Sequence, residues 1–366
     1  MFKGKTSLEL DLSNYDALVF DLDHCLVEYH QSNLSDLVHY CIFQFLVNDE
    51  NYPAYIKDFS FQSSIADRGV ILCSKTGNLL WLDKSLNVLK TVHGFEEVNS
   101  DSLTLTNKDL LSTNNQYFPI PTYFERAIAS AFCVLVHLHD THNLKPVTTH
   151  SRPVRPLKGK YSSFLLSILN AMKFNFWDFH SGYYYREFEK DPFKYVKVNK
   201  NVGNWLRSMK AVTSLGLITN STKEYACFLL KNCLGFDWSE FDFAIFKAGK
   251  PYFWTSDHNL GPIADCLTKK SEKLACRCLM VGDHPIGDVA LPSQIGIIDM
   301  GAIRLKFDSL GIVEDECVYE DEVIDAISFK ENYFFEVVVQ NSLFFTSSIS
   351  NLLDYTEKLA IELYSR

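Results

Sequence analysis

Two carboxylates one residue apart, Asp21 and Asp23 in Asp21-Leu22-Asp23, follow directly on the apolar run Ala17-Leu18-Val19-Phe20. An apolar run that stops at a carboxylate reads as a buried parallel strand carrying a functional residue at its C-terminal end. Open α/β sheets bind their ligands at that end. Further chemical groups follow later apolar runs in the same way: Thr219 with Asn220, then Lys250, then Asp283 and Asp288. Clustered carboxylates raise one another's pKa unless a cation sits among them, and an all-oxygen set of this kind suits Mg²⁺. With Lys250 and the hydroxyl and amide of Thr219 and Asn220, such a site makes an electropositive cradle for a phosphoryl group. Asp21 can then attack phosphorus and form an acyl phosphate, while Asp23 protonates the leaving oxygen and later takes a proton from water. The chemistry this set points to is phosphomonoester hydrolysis.

These groups need elements that converge. Runs at 16–21, 215–220, 241–246, 278–283 and 295–299 read as strands, and Tyr225, Ala226, Leu229, Leu230 and Cys233 repeat with helical spacing between two of them. The fold class this predicts is α/β, a doubly wound Rossmann-like parallel sheet. Ser221 and Glu224 fit a capping box that opens the helix after the second strand. The first strand is separated from the others by nearly 200 residues, far more than one crossover requires. That interval carries its own patterns: a helical stripe from Leu34 to Leu46, a strand meander over 70–73, 78–82 and 88–92, and helical runs at 117–138 and 162–174. It predicts an inserted α+β cap domain over 31–199, with 1–30 and 200–366 forming the catalytic core. Beyond residue 300, an acidic stretch at 314–325 reads as a solvated face, 333–340 as a strand and 351–363 as a closing helix.

Taken together, Phe20-Asp21-Leu22-Asp23-His24-Cys25-Leu26, Leu217-Ile218-Thr219-Asn220-Ser221, Lys250-Pro251 and Val281-Gly282-Asp283-His284-Pro285-Ile286-Gly287-Asp288 resemble the four motifs of the haloacid dehalogenase-like hydrolases. Within that group the chain is similar to the cytosolic purine 5'-nucleotidase family. Asp67-Arg68-Gly69-Val70, Gly77-Asn78-Leu79-Leu80 and His93-Gly94 resemble the cap signature of the same family. The resemblance implies Asp21 as nucleophile and Asp23 as acid/base, with Mg²⁺ held by the Asp21 carboxylate, the Asp23 backbone carbonyl and Asp283. It implies Thr219 and Lys250 on the phosphate, Asn220 and Ser221 near phosphate and ribose, and Asp288 orienting the metal site or Lys250. The implied substrate is a nucleoside 5'-monophosphate; a phosphatase for a non-nucleotide ester would keep the same chemistry. Two positions depart from the family: Cys25 stands where it carries Thr, and Cys73 where it carries an acidic residue. They motivate an alternative, a nucleotide-binding module with weak or no turnover.

Composition bounds the rest. The 366 residues are 47% hydrophobic and 22% charged, which excludes wholesale disorder. Thirty-five Lys and Arg against 45 Asp and Glu give a net charge of −10, contrary to what duplex nucleic acid requires. No run approaches the roughly 20 apolar residues of a membrane span, and the start lacks a secretory core, so a cytoplasmic protein with no membrane partner is expected. The ten cysteines include no Cys-x-x-Cys pair and read as buried thiols, Cys276 and Cys278 among them. His137 and His139 read as surface residues. If the cap acts as a lid, Arg152, Arg155, Lys158 and the aromatics between Phe174 and Tyr185 are candidates to read the substrate, although those aromatics also suit simple packing. Homo-oligomerisation is compatible with all of this.

Overall fold

The apolar runs that end at Phe20, Ile218 and Gly282 become strands, and the computed structural model describes residues 9–99, 103–110, 116–141, 160–177, 182–270, 273–314, 332–353 and 358–360. The chain opens with β1 (Glu9–Asp11) and β2 (Ala17–Phe20), then enters α1 (Gln31–Asn48). There follow β3 (Ile71–Cys73), β4 (Asn78–Leu82), β5 (Val88–His93), β6 (Glu96–Val98), α2 (Asn107–Leu110), β7 (Tyr117–Pro119), α3 (Arg126–Thr141), α4 (Tyr161–Trp177) and α5 (Tyr183–Phe188). The return runs through α6 (Lys200–Met209), β8 (Ser214–Ile218), α7 (Lys223–Leu229), β9 (Phe243–Ile245), α8 (Gly261–Lys270), β10 (Ala275–Gly282) and α9 (Leu291–Gln294). The last elements are β11 (Ile297–Asp299), β12 (Arg304–Ile312), α10 (Tyr333–Asn341), β13 (Phe344–Thr346) and β14 (Lys358–Ala360).

Two units result, one of residues 1–29, 196–315 and 337–366, the other of 30–195 and 316–336. The first is built on a sheet of order β11-β12-β10-β2-β8-β9, with β13 also on β12. All its pairings are parallel except that of the edge strand β11. Parallel sheets are covered on both faces, which is why every residue of β2 and β8 is buried. One face packs Ala17, Val19, Cys276, Cys278, Met280 and Phe307 against Trp254, Ile263 and Leu267. On the other, Phe20 meets the edge of Trp205 at 5.9 Å. The expected doubly wound α/β core is present, and Cys276 and Cys278 pack within it.

The second unit combines an antiparallel sheet of order β6-β5-β4-β3-β7 with α1, α3 and α4, which pack on one another. Its helix 117–138 was expected whole; instead β7 occupies 117–119 and α3 starts at Arg126. Pro119 and Pro121 disfavour helix in the residues before them, and Thr122, donating its N–H and hydroxyl to Glu125, marks the later start. Residues 316–336 group with this unit although the sequence placed 200–366 wholly in the core. Their described part explains it: the Asn332 side chain donates to the Arg68 carbonyl, Asn332 bridges to Asp83, and the Tyr333 hydroxyl donates to Asn107.

Two further expectations fail here. Residues 333–340 form helix α10, not a strand, because Asn332 Oδ1 accepts from the N–H groups of Phe334 and Phe335 and caps it. Gly311 lets that helix approach β12, since a Cβ there would lie 2.7 Å from Val338 Cγ1. The closing helix 351–363 is replaced by a 3₁₀ turn over Ile349–Leu352 and by β14, which pairs antiparallel with β1. No helix among the described residues is long and apolar enough to cross a membrane.

Candidate active site

Parallel register sets the functional groups at one level. Phe20 lies opposite Leu217 in β8 and Val281 in β10, so Asp21, Thr219 and Asp283 leave the sheet at the same edge. The Asp21 N–H donates to the Val281 carbonyl at 2.9 Å and that of Thr219 to Ile245 at 3.0 Å, which continues the ladder one step past the strands. The Cys25 thiol donates to the same Val281 carbonyl at 3.3 Å, so the departure from Thr still ties the loop to β10. Burial first, then the neighbouring Asp21, keeps that thiol protonated.

Asp21, Asp283 and Asp288 each present an oxygen within 4.8 Å of the others. Lys250 Nζ lies 2.9 Å from Asp21 Oδ1 and 2.6 Å from Asp288 Oδ1, with its side chain only 4% exposed. Burial raises the Asp21 pKa; Lys250 opposes the rise and Asp288 adds to it. Asp283 is driven well above the carboxylate range, first by burial, with Asp21 and Asp288 adding to it against His24. Burial alone would lower Lys250, but the two aspartates hold it above its ordinary value. Among the described residues no hydrogen bond or ion pair engages the Asp283 carboxylate, and buried Asp21 Oδ1 has no aligned hydrogen bond even with the ammonium beside it. Three carboxylates crowd around one ammonium, and an all-oxygen donor set short of positive charge fits a hard divalent cation.

Neighbouring residues fix this cluster. Gly282 is required by Asp288, whose Cβ would be 2.5 Å from a Cβ at 282. Asp288 Oδ2 accepts from the His284 N–H at 3.2 Å. His284 Nδ1 accepts from the N–H groups of Ile286 and Gly287 at 3.2 and 3.0 Å. Burial, then Lys250, pushes the His284 pKa down to about 4, so the ring is a neutral acceptor. Asn220 Oδ1 accepts from Lys250 N–H at 2.8 Å and its Nδ2 donates to the Lys250 carbonyl at 3.1 Å. This clasp commits the Asn220 amide to holding the lysine loop. Lys247, the other lysine of the loop, is exposed, whereas Lys250 reaches Asp21.

Asp23 follows two residues later in the same loop. Ser221 Oγ donates to its Oδ2 at 2.6 Å and the Tyr29 hydroxyl donates to its Oδ1. Burial raises the Asp23 pKa and Asp21 adds to that, while the Ser221 and Tyr29 hydrogen bonds oppose it. Ser221 is spent on Asp23, and the cap of α7 is Thr222, whose hydroxyl accepts from the Tyr225 N–H at 3.3 Å; the expected Ser221–Glu224 box does not form. Thr219 is fully buried and its hydroxyl accepts from the Ser221 N–H at 3.1 Å. His24, in a left-handed conformation with φ of 57°, places Nδ1 3.6 Å from Glu314 Oε1. Burial would lower its pKa, but Glu314, then Asp283 and Asp23, raise it to about 9. Glu314 is therefore a partner of the nucleophile loop, contrary to its reading as a solvated face.

Tyr29, Tyr225, His284 and Glu314 were not identified from sequence as parts of the site. Only His284 stood inside a quoted motif. In the inserted unit, Phe176 packs on Tyr184 at 4.6 Å and Phe174 on Tyr183 at 5.7 Å, the packing alternative for those aromatics. His137 stacks on Phe95, and His139 pairs with Asp140 at 2.6 Å. Arg152, Arg155 and Lys158 lie outside the described residues.

Residues 6–275 match the 5' nucleotidase family. A Bos taurus protein named 5'-nucleotidase domain-containing protein 1 is 26% identical over 265 residues, 67% of this chain and 55% of that protein. The Homo sapiens protein of the same name is 25% identical over 261 residues, with the same shares covered. The chain thus spans about half the length of the curated relatives it matches.

Proposed function

Because the chain belongs to the 5' nucleotidase family, we propose that it is a Mg²⁺-dependent phosphomonoester hydrolase acting through an aspartyl phosphate on Asp21. The observation that carries this reading is the buried cluster of Asp21, Asp283, Asp288 and Lys250 at one sheet edge. The residues suited to hold Mg²⁺ are Asp21, Asp283 and the backbone carbonyl of Asp23; when bound, the ion would neutralise charge on the phosphate. Asp288, engaged by Lys250 and His284, acts from behind as an orienting carboxylate.

Lys250 and Thr219 bind the phosphoryl oxygens, with Asn220 holding the lysine loop in place. An Asp21 oxygen forms a bond to phosphorus as the bond to the leaving oxygen breaks, and Asp23 supplies that oxygen with a proton. Asp23 then takes a proton from the water that displaces Asp21 from phosphorus. The substrate class is a nucleoside 5'-monophosphate, in keeping with the family. A cytoplasmic setting agrees with the nine described cysteines, all of them free thiols.

The test is phosphate release from a panel of nucleoside monophosphates and simple esters, with Mg²⁺ and with EDTA. Release undiminished by EDTA or by Asp21→Asn would refute the mechanism. Tight nucleotide binding with no turnover would favour the binding-module alternative.

A further inference from the structure

An acid/base carboxylate must present one chosen oxygen to the leaving group, and a carboxylate held at one oxygen alone can still turn about its Cβ–Cγ bond. Asp23 is held at both: Oδ2 accepts from Ser221 and Oδ1 from Tyr29. Tyr29 is itself fixed. Its backbone bridges antiparallel to Val196, the Lys197 N–H donates to the Glu28 carbonyl at 2.9 Å, and the side chain is 4% exposed. Its ring lies 4.7 Å from that of His24, and its hydroxyl lies 3.3 Å from the hydroxyl of Tyr225, also buried. The phenol oxygen is thus located by the hydroxyl of Tyr225 beside it and by an isolated backbone bridge that fixes the residue. Resting on the reading of Asp23 as acid/base, we propose that Tyr29, backed by Tyr225, is the positioning residue that aims Asp23 at the leaving oxygen.

Aim matters only where a proton must be delivered. An alkoxide, such as the 5'-oxygen of a nucleoside, leaves poorly without one, whereas p-nitrophenolate leaves unaided. A purely structural tyrosine would affect both esters alike through folding. A positioning tyrosine separates them.

The experiment is single-turnover release of the alcohol from a nucleoside monophosphate and of nitrophenolate from p-nitrophenyl phosphate, by the full chain with Mg²⁺. Wild type, Tyr29→Phe, Tyr225→Phe and Asp23→Asn are compared, with thermal melts alongside. Tyr29→Phe should slow alcohol release about 10- to 100-fold, less than the loss of a whole general acid at about 100- to 10,000-fold, while nitrophenolate release and KM stay within about threefold. Tyr225→Phe should shift the same ratio in the same direction by less, and it carries the test should Tyr29→Phe fold poorly. Equal loss on both esters in the folded variants, or no loss on the alkyl ester, overturns the proposal. If Asp23→Asn itself releases the alcohol at the wild-type rate, the acid/base reading has failed instead, an outcome recognisable without reference to Tyr29.

Discussion

Removing the divalent cation should make the sheet unit less stable as pH rises, and adding it back should help most at alkaline pH. Asp21, Asp23 and Asp283 all have pKa values raised by burial above the ordinary value of about 3.9. Such a carboxyl binds more protons folded than unfolded. Its contribution to stability is complete below about pH 4 and is lost as pH rises through the raised value. Each unit of rise corresponds to about 1.4 kcal/mol. His24, raised to about 9, contributes in the same sense, with stability present below its ordinary value of about 6.5 and lost through about 9. A cation bound among these carboxyls reverses the carboxylate part, and its binding must displace the protons those groups would otherwise hold. At a hundred times its Kd it adds about 2.7 kcal/mol. For a unit of roughly 180 residues that is a rise of about 5 to 10 °C in Tm, at about 2 to 4 °C per kcal/mol. The assay is thermal unfolding in EDTA and in excess Mg²⁺ at about pH 5 and pH 8. Asp283→Asn should raise the Tm in EDTA more at about pH 8 than at about pH 5, because the carboxyl it replaces is protonated at the lower pH, and should abolish the Mg²⁺ increment. An increment equal at both pH values, or one surviving in Asp283→Asn, would refute the electrostatic reasoning.

Lys250→Met leaves Asp21 and Asp288 without their ammonium and should cost about 3 to 5 kcal/mol in urea unfolding, along with all phosphatase activity. Gly282→Ala drives a methyl into Asp288 and should cost about 1 to 3 kcal/mol while abolishing turnover; an unchanged kcat would show that Asp288 is not needed where it sits. Asn220→Ala removes both hydrogen bonds to the Lys250 backbone and should cost about 1 to 3 kcal/mol, with KM for phosphate esters rising more than kcat falls.

What could be read from the sequence was whatever a local pattern encodes. The apolar run into Asp21, the turn at Gly77 and the spacing from Gly282 to Asp288 all reappear as a strand end, a hairpin and a folded-back carboxylate. The Tyr333–Asn341 stretch was misread because Phe and Val suit strands, while the deciding contribution came from one capping residue, Asn332. Strand β12 alternates exposed Arg304 and Lys306 with buried Leu305 and Phe307, a period-two pattern legible in the sequence. Tyr29, Tyr225 and Glu314 could not be found by pattern at all. Each acts on the site through a side chain brought in by pairings far apart in the chain.

Pairings so distant in the chain constrain how the protein is made. Strand β2 pairs with β8 and β10, so Ala17 finds Ser214 and Cys278 only after about 200 or more residues have been synthesised. Contacts this distant impose a large loop-closure cost before they return any stabilisation, and they slow folding. The inserted unit has its own antiparallel sheet and helices, which can begin to form while β2 still waits for its neighbours, although its contacts from Asn332 and Tyr333 come later still. Until β8 and β10 arrive, Val19 and Phe20 have no sheet to cover them and are open to holdase chaperones or to aggregation. The acidic cluster can assemble only once β10 arrives and brings Asp283 and Asp288 to Asp21, so a late step of folding must force three carboxylates together.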